Sequence, residues 1–356
     1  MKAWLRALYV SVVFCAGAHT SALAATDYFS AYPYAAPADG VDLGVQPMAY
    51  PIAFISSVMQ RDRLLQKALA KRTTFHPFRK GNDMVAQVGA GKLEGALLGD
   101  MPTINTLVHT PSVIVGLAKK NFSTVVARDY TRFEQLRGKR VAYSPGSSSH
   151  YTLLQGLHAA GMTEGDVRLV ALEPSVMPMA LANKEIDAFS AWEPTPSIAL
   201  SQDKNNRAIY KSISSDWFVL SREFVEQQPK PALQIVAAYV RAINWLRASR
   251  GNVDTAVQWV FADGAKFTGE PLPLKASQAA GILRKDLLDV PGAPVVTNLK
   301  NDVLPLSGEL AFLKTLGKVS ASVGDDLLRD AFAYKGLKKV LADPQKYQIY
   351  AFDYVD

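Results

Sequence analysis

One cysteine, Cys15, occurs in 356 residues. That excludes a disulfide framework, and it excludes thiolate-bound zinc or iron–sulfur centres, which need several thiolates. Nucleotide loops are missing as well. A Walker A loop requires Gly-x4-Gly-Lys-Ser/Thr, but Gly91-Lys92 is followed by Leu93 and the earlier glycine position is Ala86. Gly89-x-Gly91-x3-Gly95 is one residue too long for the dinucleotide fingerprint, and it leaves a helix rather than a strand. Gly146-Ser147-Ser148 lacks the closing glycine of a hydrolase elbow. Of five histidines (His19, His76, His109, His150 and His158) none is paired as His-Glu-x-x-His, so no metal centre is expected. The formal net charge is +7, but no basic run reaches five residues. Arg137, Lys139 and Arg140, and the Lys119-Lys120 pair, read as solvated surface charge. Without interleaved aromatic residues they argue against a nucleic-acid groove.

What is present is ordinary globular chemistry: 49% hydrophobic and 20% charged residues. The length exceeds what one core usually fills, which favours two lobes. Residues 1–24 have the three parts of an export signal: Lys2 and Arg6, an uncharged apolar run from Ala7 to Ala18, and Ala22-Leu23-Ala24. The apolar run is too short to span a bilayer. Cleavage after Ala24 would remove Cys15 and deliver the chain to a bacterial periplasm, with an uncleaved anchored form as the alternative. Residues 25–40, rich in Pro, Ala and Gly from Ala31 onward, form a lead-in segment.

From Val41 short apolar strands alternate with amphipathic helices. The expected strands are 41–45, 73–78, 96–98, 113–118, 124–127, 140–143, 167–172, 188–191 and 217–220. The expected helices are 52–70, 82–90, 148–160 and 177–183. Beyond Pro231 the chain reads as mainly helical. Such alternation implies mostly parallel sheets covered on both faces, and it occurs twice. A weak internal repeat accompanies it. Gly91 to Pro102 matches Asn183 to Pro194 at a constant offset of 92 residues, each with a helix-ending Gly or Asn, a short strand, and an acid near a proline. Two α/β lobes facing each other would form a cleft lined by the loops after strands, where ligands of open α/β sheets bind.

Those loops supply the candidate site: Gln46 after the first strand, Asp100 after the third, Gly146, Ser147, Ser148, Ser149 and His150 at a strand-to-helix turn, and Trp192 with Glu193 after the last strand of the second lobe. A glycine–serine turn opening a helix presents amide and hydroxyl donors to an oxyanion, although a plain serine cap gives the same sequence. Trp192 would lie on a short carbon chain, and Asp100 and Glu193 would face an amine or hydroxyl. Each has a structural alternative, as a core tryptophan and as ordinary acids. Arg79 and Lys80 read as a solvated loop.

Segments 91–102, 112–118, 136–142, 146–150 and 187–194 occur together in an order that resembles the periplasmic solute-binding proteins of ABC importers for aliphatic sulfonates, taurine and nitrate. The similarity runs from about Leu43 to about Arg250. It implies a type II binding-protein fold: two doubly wound sheets, a hinge of two crossing segments at 113–127 and 215–222, and a helical C-terminal region. Lobe 1 would comprise 41–126 plus 218–356, and lobe 2 would comprise 127–217. The resemblance implies no catalytic residue and no cofactor. It implies a small anionic or zwitterionic ligand such as a sulfonate or taurine, and a monomer that meets an inner-membrane permease with its cytoplasmic ATPase. Nitrate or a pyrimidine precursor stays open as ligand. A hydrolase using Ser148 or Ser149 with His150, or a ligand-sensing component, stays open as role.

Overall fold

The computed structural model describes residues 40–69, 72–295 and 304–355. The export signal, and the lead-in segment except Gly40, lie outside the described residues. Eight strands are present among them: β1 (Val41–Val45), β2 (Thr73–Pro77), β3 (Gly95–Gly99), β4 (Ser112–Arg128), β5 (Arg140–Tyr143), β6 (Arg168–Ala171), β7 (Ala188–Ala191) and β8 (Asn206–Ser221). They lie side by side in the order β2-β1-β3-β8-β4-β7-β5-β6. That order is nearly palindromic. Parallel triads β2-β1-β3 and β7-β5-β6 flank the long antiparallel pair β8–β4. Both triads join that pair through antiparallel edges, β3 on β8 and β7 on β4. The pair crosses between the halves, so the two crossing segments expected from the resemblance are present.

The first half contains α1 (Ile52–Gln60), α2 (Arg63–Ala68), α3 (Gly81–Gly89) and α4 (Asp100–His109). One helix was expected over 52–70. Asp62 divides it, because its extended backbone and carboxylate cap the second helix at the Leu65 amide. The second half contains α5 (Ser148–Ala159), α6 (Met177–Ala182) and α7 (Thr195–Gln202). Its strands alternate faces as the pleat requires. Val125, Val141 and Ala188 pack with Leu153 and Leu157 of α5. Val126, Ala142 and Phe189 pack on the other side with Met177 and Leu181 of α6. Burial on both faces explains why these strands read as continuous apolar runs.

The repeat is structural as well, since β3 and β7 occupy equivalent places in the palindrome. One detail differs. Gly91 takes a left-handed conformation, φ 66°, but in the second copy Lys184 takes it, φ 60°, and Asn183 stays right-handed.

After β8 the chain is helical as expected: α8 (Arg222–Gln227), α9 (Pro229–Ala248), α10 (Arg250–Thr268), α11 (Ala276–Leu283), α12 (Ser307–Thr315), α13 (Asp326–Phe332) and α14 (Gly336–Ala342). Arg241 of α9 is 1% exposed and fastens several of these pieces. It donates to Asp62 at 2.7 Å and to the carbonyls of Tyr347 and Gln348. Asp62 itself is fully buried. Removing one partner of a buried pair strands the other charge, at a cost of about 3–5 kcal/mol. Arg241→Met is therefore expected to lower the unfolding free energy by about that amount in urea titration. A loss under about 1 kcal/mol, the range of an exposed pair, would contradict this account.

Candidate functional site

The strand-end loops of both halves meet the crossing pair at a cavity of about 20 Å³. That is room for about one water. Gln46, Gly81 and Gly99 contribute from the first half, Ser147, Ser148 and Trp192 from the second, and Lys119, Ser214 and Asp216 from β4 and β8. Four helices begin at its wall: α1 at Ile52, α3 at Gly81, α4 just after Gly99 and α5 just after Ser147. Each helix start carries partial positive charge and amides without intrahelical acceptors, so the four together favour an anion.

Lys119 is the residue that sequence reasoning missed. Expected at the surface beside Lys120, it is 1% exposed, and only Lys120 faces solvent. The pairing of β4 with β8 slips between Leu117 and Lys119, opposite Asp216. Such a bulge re-aims a side chain, and here Ala118 and Lys119 are both buried. The ammonium has three donors, yet its hydrogen bond is a long one, 3.5 Å to the Ser214 hydroxyl. The carboxylates of Asp216 and Asp286 also act on it, but a buried ammonium with one long hydrogen bond is still costly. The available signal was a lysine pair ending an apolar strand, where alternation must turn one of the two inward. Asp216, its cross-strand neighbour, also lines the cavity, and burial pushes its carboxyl above the usual range while Lys119 pulls it down.

Of the candidate residues, Gln46, Ser147, Ser148 and Trp192 line this cavity. Gln46 is held by its side-chain amide donating to the Leu97 carbonyl at 3.1 Å. Ser147 caps α5: its hydroxyl accepts from the His150 amide at 3.2 Å and donates to the Ser144 carbonyl at 2.7 Å. The amides of Ser148 and Ser149 follow the cap and have no intrahelical acceptor. Gly146 stands behind, at φ 72°, where a β-carbon would press on Asn82 of the opposite half. The same closeness holds at Gly99, where an added methyl would overlap the Ser148 hydroxyl. Ser149 is turned inward, its hydroxyl 2.9 Å from that of Ser147 and its carbonyl accepting from Ser190.

His150 does not touch a serine hydroxyl with its ring. Its Nδ1 accepts from the Gly146 amide at 3.3 Å, and its Nε2 donates to Glu164 at 3.1 Å. Burial lowers its pKa, which suits the neutral ring. Ser148 instead bonds to Asp100. The proton relay a serine hydrolase needs is therefore not assembled. Glu193 turns back on its own chain: its carboxylate accepts from the Ser197 amide at 3.3 Å, and its carbonyl accepts from the Tyr50 amide at 3.0 Å. Lys80 pairs with Glu173 across the halves at 3.2 Å, so it is more than a solvated loop residue. Among the described residues no cluster of His, Cys, Asp and Glu could hold a metal ion, and no helix is long and apolar enough to cross a membrane.

A second, larger chamber of about 190 Å³ lies next to the first, and Trp192 lines both.

Residues 105–261 match the model of the NMT1-like family. The resemblance read in the sequence holds. The chain is 26% identical over 219 residues to the taurine-binding periplasmic protein of Escherichia coli, covering 59% of this chain and 66% of that protein, a little under two thirds. The periplasmic aliphatic sulfonate-binding protein of Escherichia coli has the same fold, with a TM-score of 0.62 at 20% identity, over 85% of this chain and 99% of that one. So does the alkanesulfonate-binding protein of Xanthomonas axonopodis pv. citri, solved with MOPS bound, with a TM-score of 0.62 at 20% identity over 84% and 99%. The α/β binding-protein fold expected from the sequence is thus the observed one, except that β4 and β8 join the two expected sheets into one of eight strands.

Asp100 ties the two halves at the back of the cavity. It is fully buried and accepts from the Met101 amide at 2.8 Å, the Ser215 amide at 3.4 Å and the Ser148 hydroxyl. Burial pushes its carboxyl up to about 7, and Glu309 and Asp216 push the same way. An unfolded Asp titrates near 3.9, so the folded state binds the extra proton. The stabilisation is complete below about pH 4 and is lost as pH rises through about 7. Asp83 and Asp286, both pushed up to about 6 by burial, add to the same slope. Asp100→Asn is expected to make the fall of melting temperature between pH 4 and 7 shallower. An unchanged slope would contradict the assignment.

Proposed function

We propose that this protein is the solute-binding component of an ABC importer, capturing an organic anion between its two halves and presenting it to a membrane permease. One observation carries the reading: the Lys119 ammonium, buried with a single long hydrogen bond among the described residues, at a cavity wall where four helices begin. With the halves parted enough to admit it, since the cavity as it stands holds about one water, an anionic head such as a sulfonate would supply the missing acceptors. Lys119 donates to one oxygen, and the first-turn amides of α5 and the Gln46 side chain surround the others. The likeness to sulfonate- and taurine-binding proteins supports the same head group. The halves act as the two lobes of a jaw hinged on β4 and β8. Export to a periplasm and action as a monomer belong to the same reading, and the Ser–His geometry described above favours binding over hydrolysis.

A specific observation also supports a zwitterionic ligand of taurine type. The Asp216 carboxyl faces the cavity beside Lys119, and an ammonium on the ligand would keep it ionised. For a simple anion, protonated Asp216 serves as a further donor.

Losing one side of a buried charged contact costs about 2–5 kcal/mol, roughly thirty- to five-thousand-fold in affinity. Lys119→Met is therefore expected to weaken ethanesulfonate binding by that factor in titration calorimetry. Its fold should survive, since the change removes a poorly paired charge. Affinity unchanged by the substitution would overturn the head-group assignment.

A further inference from the structure

We infer that Asp286 is the resident counter-charge of Lys119, and that the anionic head of a ligand competes with it for the ammonium. The inference rests on the head-group reading above and adds to it the regulation of that site. Asp286 comes from the C-terminal helical region, on a π-helical turn, Arg284–Leu288, that follows α11. Turns of this kind are rare and recur at functional sites. The side chain is 1% exposed. One carboxylate oxygen accepts from the Asn121 side-chain amide, and the other has no hydrogen-bond partner among the described residues. Asn121 lies two residues beyond Lys119 on β4, so the two side chains leave the same face of the strand. Asn121 therefore holds the carboxylate over the face that carries the ammonium. Asp286 is not among the residues lining the cavity, so a ligand can act on it through Lys119 without touching it.

Burial pushes the Asp286 carboxyl up to about 6, Lys119 pulls it down, Glu193 pushes it up and Lys285 of its own turn pulls it down. The other neighbouring elements add little. Lys120 leaves the opposite face of β4 and is exposed. The α11 helix carries no charged residue. Arg247 of α9 donates to the carbonyls of Ala293 and Leu287 instead. An anion seated at Lys119 engages the ammonium and adds a second negative charge near Asp286. Both effects favour the neutral acid. Binding should therefore take up a proton, and affinity should fall as pH rises above about 6.

The test is titration calorimetry with ethanesulfonate at about pH 5.5 and 7.5, and at about pH 7 in Bis-Tris and in Tris. These two cationic buffers differ in ionisation heat and offer no anionic head. The unaltered protein is expected to bind about tenfold more weakly at the higher pH, the equivalent of a one-unit rise in the carboxyl's pKa on binding. It should also take up a proton, read from the difference between buffers. Asp286→Asn keeps an oxygen for Asn121. It is expected to bind about tenfold more tightly than the unaltered protein at pH 7.5, with a smaller proton uptake and a flatter pH dependence. Asp216, also pushed up by burial, accounts for the uptake that remains. The proton count on the unaltered protein stands whether or not the variant folds. No uptake by the unaltered protein, or an uptake and affinity that Asp286→Asn leaves unchanged, would overturn this inference alone. Failure of ethanesulfonate to bind at either pH would overturn the head-group reading with it.

Discussion

A lysine ammonium cannot stay buried without oxygen partners, and that constraint orders the centre of this structure. Lys119 reaches the centre because the two long crossing strands slip register beside it. It stays there within the positive field of four helix starts, which makes its position less favourable still until an anion arrives. Asp216 and Asp286 offset part of the charge, but both lean toward the neutral acid under burial. The site is thus held in a state of unmet demand, which fits the capture role proposed above. On the proposed function, a ligand that satisfies Lys119 would contact both halves at once, and those differential contacts would favour a closed arrangement.

Small residues let the halves approach this closely. Gly99 leaves space for the Ser148 hydroxyl, and Gly146 leaves space for Asn82. Around that contact, Tyr50 to Glu193, Lys80 to Glu173 and Asp100 to Ser148 link first half to second. A further set lies on the C-terminal helices, where Phe312 of α12 meets the rings of Tyr151 and His158 on α5, and Lys318 reaches Glu164.

Much of the architecture was legible in the sequence because the inner strands β1, β3, β5 and β7 are largely buried, so they read as short apolar runs between helices. The offset of 92 residues marked β3 and β7 as equivalent, and they are. Other elements were hidden for physical reasons. Residues 206–216 of β8 are largely polar and partly exposed, and backbone pairing with β4, not apolar periodicity, makes them a strand. Residues after Gly99 were read as loop because Asp and Pro open them, yet both residues suit a helix start, and α4 begins there. The serine turn was found because a cap has a local signature. Gln46 and Trp192 were expected at a cleft because they follow strand ends, and both line the cavity. Lys119 was not, since the lysine pair shows only that one of the two turns inward, and the one-residue slip against β8 decides which.

The most direct measurement is a crystal structure of the protein with 2-bromoethanesulfonate, read by anomalous scattering. The sulfur is expected between the halves, with one sulfonate oxygen within hydrogen-bond distance of Lys119 Nζ and the bromine on the Trp192 side of the cavity. A sulfonate seated elsewhere, with Lys119 still facing an anion-free cavity, would contradict it.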